Sequence, residues 1–226
     1  MNEDALKIEV YSDVVCPWCY IGKRRLEGAL NQRNQAVNAQ IAWRPFQLNP
    51  TMPVGGVDRT TYLEAKFGSL DAFRRLEDQV LAAGAAEQIS FAFDKIARAP
   101  NTFLAHRLIW FGAEQGRQNS VVESLFRGYF EEGLDIGYPP TLVQLAARAG
   151  LHAEAVERFL GSDLGESEVK AEEAAGHKLG IRGVPYFVLN QTYGISGAQP
   201  VNVLVSAMDN VRAQGFPTIQ GSKEGR

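Results

Sequence analysis

The chain is 226 residues long, 45% hydrophobic, 10% aromatic and 22% charged, with a formal net charge of -3. Those values suit one large domain, or one domain with a substantial insertion, and enough apolar residue to build a core. They exclude the basic footprint of a binder of nucleic acid or anionic membrane, and no apolar run approaches the roughly 20 residues of a membrane helix.

Met1-Asn2-Glu3-Asp4 is polar and acidic where an export signal would be basic and then apolar, so a cytoplasmic protein is expected. Leu6 to Tyr11 alternates apolar and polar residues and predicts a strand. Asp13 to Cys16 is a short loop. Pro17 then stands where a helix's first residue belongs, followed by Cys19, Gly22, Leu26 and Leu30 on one face. The basic run Lys23-Arg24-Arg25 reads as a solvated face of that helix. Asn34 to Ala39 is turn-like. Ile41 to Phe46 predicts a second strand, with Pro45 placing it near a sheet edge or at a strand end. This is β-α-β with a crossover long enough for parallel strands.

Thr51 to Val57 is rich in Pro and Gly and reads as loop, and from about Thr60 to Leu179 the periodicity is helical. Ser69 is placed to cap a helix carrying Phe73, Leu76 and Val80, and Asn101 to cap one carrying Leu104, Leu108 and Phe111, with Gly116 as its stop. A further apolar face runs from Val122 to Phe130. Short helices are expected near Thr141–Ala149 and Ala153–Leu160, and a last one near Glu166–Leu179. Strand character returns in Val184–Asn190 and Thr192–Gly197, which flank a turn and suit a hairpin. A helical stripe from Pro200 to Ala213 closes the pattern, and the tail from Pro217 is expected to fray.

Cys16 and Cys19 are the only cysteines. In a reducing cytoplasm two thiols in one turn suit catalysis or metal binding better than a permanent disulfide. A zinc site would want a second ligand pair, and the three histidines, His106, His152 and His177, are scattered singly. Chance burial of both thiols in one turn is the remaining alternative, and a redox dithiol fits best. The free N–H groups and positive end of a helix's first turn favour an anion, so a thiolate at Cys16 is stabilised there and can attack a disulfide. Cys19, one turn in and buried, resolves the mixed disulfide. Pro17 shapes the turn. Trp18 is either an exposed apolar platform for substrate or packs on the helices that follow. His152 and His177 read as surface residues, Arg44 as a surface arginine at a strand end, and His106 as a core histidine satisfied by a backbone carbonyl. Pro185 opens a strand, where a proline is tolerated; base rates alone favour a trans bond before it.

The segments SDVVCPWCYIGK, WRPFQLNP, NTFLAHRLI, LFRGYFEEGLDI and GIRGVPYFVLN carry a resemblance that spans nearly the whole chain. The sequence resembles the DsbA-like branch of the thioredoxin-fold proteins, and within it the cytoplasmic FrnE-type members. The resemblance implies an α/β thioredoxin-like fold, with β-α-β and β-β-α halves in residues 1–55 and 180–226 and an all-helical insertion in 56–179. It implies a thiol–disulfide oxidoreductase with a redox-active Cys16–Cys19 pair and no bound cofactor or metal. It also implies a cis Pro185 facing the dithiol and Val184 backbone groups that dock an extended substrate. It places Asn101 and His106 beside the site as candidate substrate-binding residues, with Pro17 and Trp18. Expected partners are protein or small-molecule thiols and disulfides, with glutathione or a thioredoxin system as candidate co-substrates. The periplasmic oxidants of this branch carry histidine where Trp18 stands, which implies a less oxidising couple here. The kappa-class glutathione transferases and 2-hydroxychromene-2-carboxylate isomerases share the insertion but typically have serine at the position of Cys16. They supply the alternative reading, a glutathione-dependent isomerase or transferase.

Overall fold

The computed structural model describes residues 5–32 and 38–213. The acidic start, most of the expected turn after Gln32 and the tail from Pro217 lie outside the described residues.

A first strand, β1 (Leu6–Ser12), leads into helix α1 (Pro17–Gln32) and then strand β2 (Ala39–Pro45). After them come β3 (Val57–Asp58), α2 (Arg59–Phe67), α3 (Leu70–Ala86), a 3₁₀ turn at Phe93–Lys95 and β4 (Arg98–Ala99). Helices α4 (Phe103–Glu114), α5 (Gln118–Phe130), α6 (Pro139–Arg148), α7 (Ala153–Leu160) and α8 (Glu166–Lys178) follow. The chain closes with β5 (Tyr186–Leu189), β6 (Tyr193–Ser196) and α9 (Val201–Ala213). Four strands form one sheet in the order β2-β1-β5-β6. β1 and β2 are parallel, with Val10 opposite Trp43, as the crossover helix requires. β1 and β5 are antiparallel, with Val10 opposite Phe187, and β5 and β6 form the expected hairpin. This is the thioredoxin-like α/β arrangement, with β2 on an edge and Pro45 its last residue.

β1 alternates only over Leu6–Glu9; from Val10 on its residues are all buried. The sheet is covered on both faces there. α1 packs beside α9, and α8 crosses near Tyr11, where a Cβ at Gly176 would meet the tyrosine ring at 2.7 Å. One apolar cluster runs from the sheet into the helical block, joining Ile8 and Phe187 to Leu108, Phe126 and Leu145.

Two expectations need correcting. Residues 56–179 are not wholly helical: a two-strand ladder pairs Val57 with Ala99 and Asp58 with Arg98. Strands of two residues are too short to carry a period. The run Lys23-Arg24-Arg25 is not a solvated face either. Lys23 is buried, with Nζ 2.5 Å from Glu27 and 2.6 Å from Glu123, and Arg24 also grips Glu123, at 2.5 Å. Arg25 reaches Glu87 at 2.8 Å and the Ala198 carbonyl at 2.5 Å. The run ties α1 to α5 and to the end of α3.

Candidate active site

The loop after β1 delivers Cys16 to the start of α1. The Cys16 N–H donates to the Asp13 carbonyl at 3.0 Å, and the Cys16 carbonyl accepts from Cys19 N–H at 3.0 Å, the first bond of the helix. Pro17 occupies the first helical position, where its missing N–H costs nothing. Cys16 is 6% exposed and Cys19 fully buried, and both are free thiols. The Cys16 thiol donates to the Val184 carbonyl at 3.6 Å. Val184–Pro185 is cis. The close approach of α1 to this segment depends on Gly22, where a Cβ would lie 2.9 Å from Pro185 Cγ and 3.3 Å from the Phe187 ring. Burial, and then the hydrogen bond and charge of Cys16, push the Cys19 thiol well above its ordinary value; the Asp13 backbone acts the other way.

Behind the dithiol lies a buried polar group. Asp13 is fully buried, and its Oδ2 accepts the Leu48 N–H at 2.8 Å. Its Oδ1 lies 3.3 Å from His106 Nε2 but out of line for a hydrogen bond, and neither atom has another partner. The expectation that a backbone carbonyl satisfies His106 is therefore corrected: its ring faces a carboxylate. Ser12 Oγ, also buried, lacks a hydrogen-bond partner as well. Asn101 is not the cap residue, which is Thr102. It still performs a cap's task one position earlier, accepting the Phe103 N–H at 2.9 Å while donating to the Met52 carbonyl at 2.6 Å. His152 and His177 are exposed as expected. Arg44 is only about a third exposed and is held by Glu9 at 2.8 Å and Glu172 at 2.5 Å.

In front of the dithiol, Val15, Pro17 and Trp18 form one wall of a cavity of about 290 Å³. The opposite wall comes from the helical block: Tyr62 and Leu63 of α2, Phe73 and Val80 of α3, and Phe130 of α5. Trp18 is 37% exposed, so it is at once a platform open to solvent and a neighbour of the inserted helices. Arg59, Lys66 and Glu77 are the charged residues of the lining. Lys66 Nζ donates to Tyr62 Oη at 2.7 Å, and Arg59 donates to the Phe93 carbonyl at 2.6 Å. His106 and Asn101 are not part of this lining: His106 lies 3.3 Å from Asp13 and Asn101 braces the loop at Met52. Sequence reasoning gave no part to Ser12, Asp13 or Met52 and no role to Gly22; an aspartate three residues before the thiol was the available signal. Among the described residues no group of three or more His, Cys, Asp or Glu is placed to hold a metal, and no helix is long and apolar enough to cross a membrane.

The DSBA-like thioredoxin domain model matches residues 7–209. A crystal structure of a probable DsbA oxidoreductase from Streptomyces coelicolor is 34% identical, covers 94% of this chain and 92% of its own, and superposes with a TM-score of 0.86. A 2-hydroxychromene-2-carboxylate isomerase structure, with no organism named, is similar in fold at 16% identity, covering 92% and 97% of the two chains, with a TM-score of 0.70. The cytosolic disulfide reductase DsbM from Pseudomonas aeruginosa, solved with glutathione, is similar in fold at 17% identity, covering 92% and 98%, with a TM-score of 0.62.

Proposed function

The chain belongs to the DSBA-like thioredoxin domain family and is a DsbA-like disulfide oxidoreductase; from that premise we propose that Cys16 is its nucleophile, Cys19 its resolving thiol and the Val184–Pro185 segment its docking edge, in a cytoplasmic enzyme of the FrnE type. The Cys16 thiolate attacks one sulfur of a substrate disulfide and expels the other as a thiolate. Cys19, deprotonated, then attacks Cys16, forms the Cys16–Cys19 disulfide and releases the second substrate sulfur. Two electrons pass from the dithiol to the substrate. The observation that carries this reading is the contact of the Cys16 thiol with the Val184 carbonyl, 3.6 Å away across 168 residues of chain. A docked substrate strand would take over that carbonyl and free the sulfur. The apolar cavity beside Trp18 receives the apolar flank of the substrate.

Direction follows from compartment. A couple as oxidising as about −120 mV in a cytosol near −260 mV would lie nearly five decades toward the dithiol, at roughly 30 mV per decade. Such an enzyme would work as a reductase or isomerase, with glutathione or a thioredoxin system returning it to the dithiol, whereas a couple near about −250 mV would populate both forms and shuttle. The test is insulin reduction with trapping: Cys16→Ser abolishes turnover, and Cys19→Ser accumulates a mixed disulfide on Cys16. Full activity of Cys16→Ser would refute the assignment. A glutathione-dependent isomerase or transferase would instead keep its turnover in Cys19→Ser. The second thiol, buried against the first, favours dithiol chemistry.

A further inference from the structure

Apart from the exposed Gln79, the polar side chains of the cavity in front of the dithiol fall into two groups. In the first, every charge is answered. The Arg59 guanidinium lies between the Phe73 and Phe93 rings, donates to the Phe93 carbonyl and faces Glu77 at 3.6 Å. The second group is Asn49, Tyr62 and Lys66, and its charge is not answered. The Tyr62 hydroxyl oxygen accepts from Asn49 Nδ2 at 2.7 Å and from Lys66 Nζ at 2.7 Å. Two donors occupy both lone pairs of a phenol oxygen, so its own hydrogen is left to donate elsewhere. Lys66 keeps two further N–H groups and has no carboxylate partner among the described residues. A lysine in the last turn of a helix is ordinary, and Lys66 stands in the last turn of α2. A cation and two more donors gathered on one wall of an apolar cavity are not. Asn49 follows Leu48, whose N–H is fixed to Asp13 in the loop that carries Cys16. The group therefore joins the catalytic loop to the helical block, across the space onto which Val15, Pro17 and Trp18 open.

The formal net charge of -3 gives the molecule as a whole no attraction for anions, so the group is a local exception. One unanswered positive charge with a surplus of donors suits one carboxylate, which only accepts hydrogen bonds. The Phe73, Phe93 and Phe130 rings suit an apolar, aromatic body. A volume of about 290 Å³ lies at the low end of the roughly 300–1,000 Å³ of small-molecule pockets. We propose that Asn49, Tyr62 and Lys66 hold the carboxylate of a small-molecule disulfide whose aromatic body fills the cavity and whose sulfur meets Cys16. This rests on Cys16 being the nucleophile. The exchange keeps the balance given above: the Cys16 sulfur bonds to the substrate sulfur, and the other half leaves as a thiolate with the electron pair of the broken S–S bond.

Bis(4-carboxymethylphenyl) disulfide and its bis-amide differ in charge but hardly in shape or in leaving thiol. The reduced protein is mixed with each, and the rate of thiol release is followed against disulfide concentration. The carboxylate half-saturates the wild type at about tenfold lower concentration than the amide, the size expected of hydrogen bonds to a charged group at a partly open site. Lys66→Met brings the two concentrations together, and Lys66→Glu reverses their order. Lys66 is exposed, so these replacements leave the core untouched. Tyr62→Phe, which keeps the ring and removes the hydroxyl, narrows the gap. Equal concentrations in the wild type, the outcome for a cavity that takes the flank of a polypeptide, overturn the proposal, as does a gap that survives Lys66→Met. Either result leaves Cys16 as the nucleophile. Thiol release at the wild-type rate by Cys16→Ser overturns that reading instead.

Discussion

Cys16 and Cys19 stand one helical turn apart in different surroundings, one 6% exposed between residues that line a cavity and one fully buried. The sealed thiol makes stability depend on pH. Its folded pKa lies above the unfolded one, so the unfolded chain loses that proton first. The contribution is complete below the ordinary thiol value and is lost progressively as pH rises from there through the folded value. Urea titrations of the reduced protein should show stability falling above about pH 8.5, with a slope approaching about 1.4 kcal/mol per pH unit from this proton. Cys19→Ala should remove that share. Tyr20 and Tyr129, raised by burial, add to the slope in the same direction at higher pH. Gly22→Ala tests a different contact. The new methyl would sit 2.9 Å from Pro185 Cγ, so the Val184–Pro185 segment must move from Cys16. Overpacking of this kind costs about 1–3 kcal/mol, and insulin reduction should fall by about tenfold or more, a loss of the size that misplacement near the chemistry produces. At this scale the sequence discloses the thiols and Pro17, because their order along one turn already fixes their roles. It hides Gly22, Ser12 and Asp13, because what they do depends on which distant strand or helix comes alongside.

Among elements, α1 has the most consequential attachments. Lys23 is buried with two carboxylates, and Glu123 is the one that crosses to α5. Glu123→Ala strands part of that charge. Breaking a buried pair costs about 3–5 kcal/mol, but Glu123 is 27% exposed and Glu27 remains, so a loss of about 1–3 kcal/mol in chemical denaturation is expected. Lys23→Met together with Glu123→Gln should recover much of it, since an apolar side chain needs no partner. Asn101→Ala should cost about 1 kcal/mol, the usual worth of a capping side chain, through loss of the bond to Phe103 N–H. β1, α1 and the closing hairpin are legible in the sequence because their periods are long enough to count. The stretch between α3 and α4 is not: its two-residue strand β4 and its 3₁₀ turn are held by partners far along the chain, such as Val57 opposite Ala99.

For the molecule as a whole, the catalytic loop and the helical block meet at one cavity, so substrate choice is set by the block while the chemistry stays with the sheet. Leu63→Trp, from α2, should fill part of that space. KM for a disulfide flanked by apolar residues should rise about tenfold with kcat little changed, while a small hydrophilic disulfide reacts as before; steady-state kinetics with both substrates decide it. The order β-α-β, helices, β-β-α is legible from periodicity and the family from its motifs. The cavity is not, because its walls come from six separate stretches of chain that no local pattern relates.

The 168-residue separation of Cys16 and Val184 also sets a sequence of events at the ribosome. Both thiols emerge long before the strand that will lie beside them has been translated. Until β5 arrives next to β1, the nascent chain carries cysteines as open to oxidants and electrophiles as those of any unfolded peptide. Selective protection of Cys19 begins only once β5 has been made.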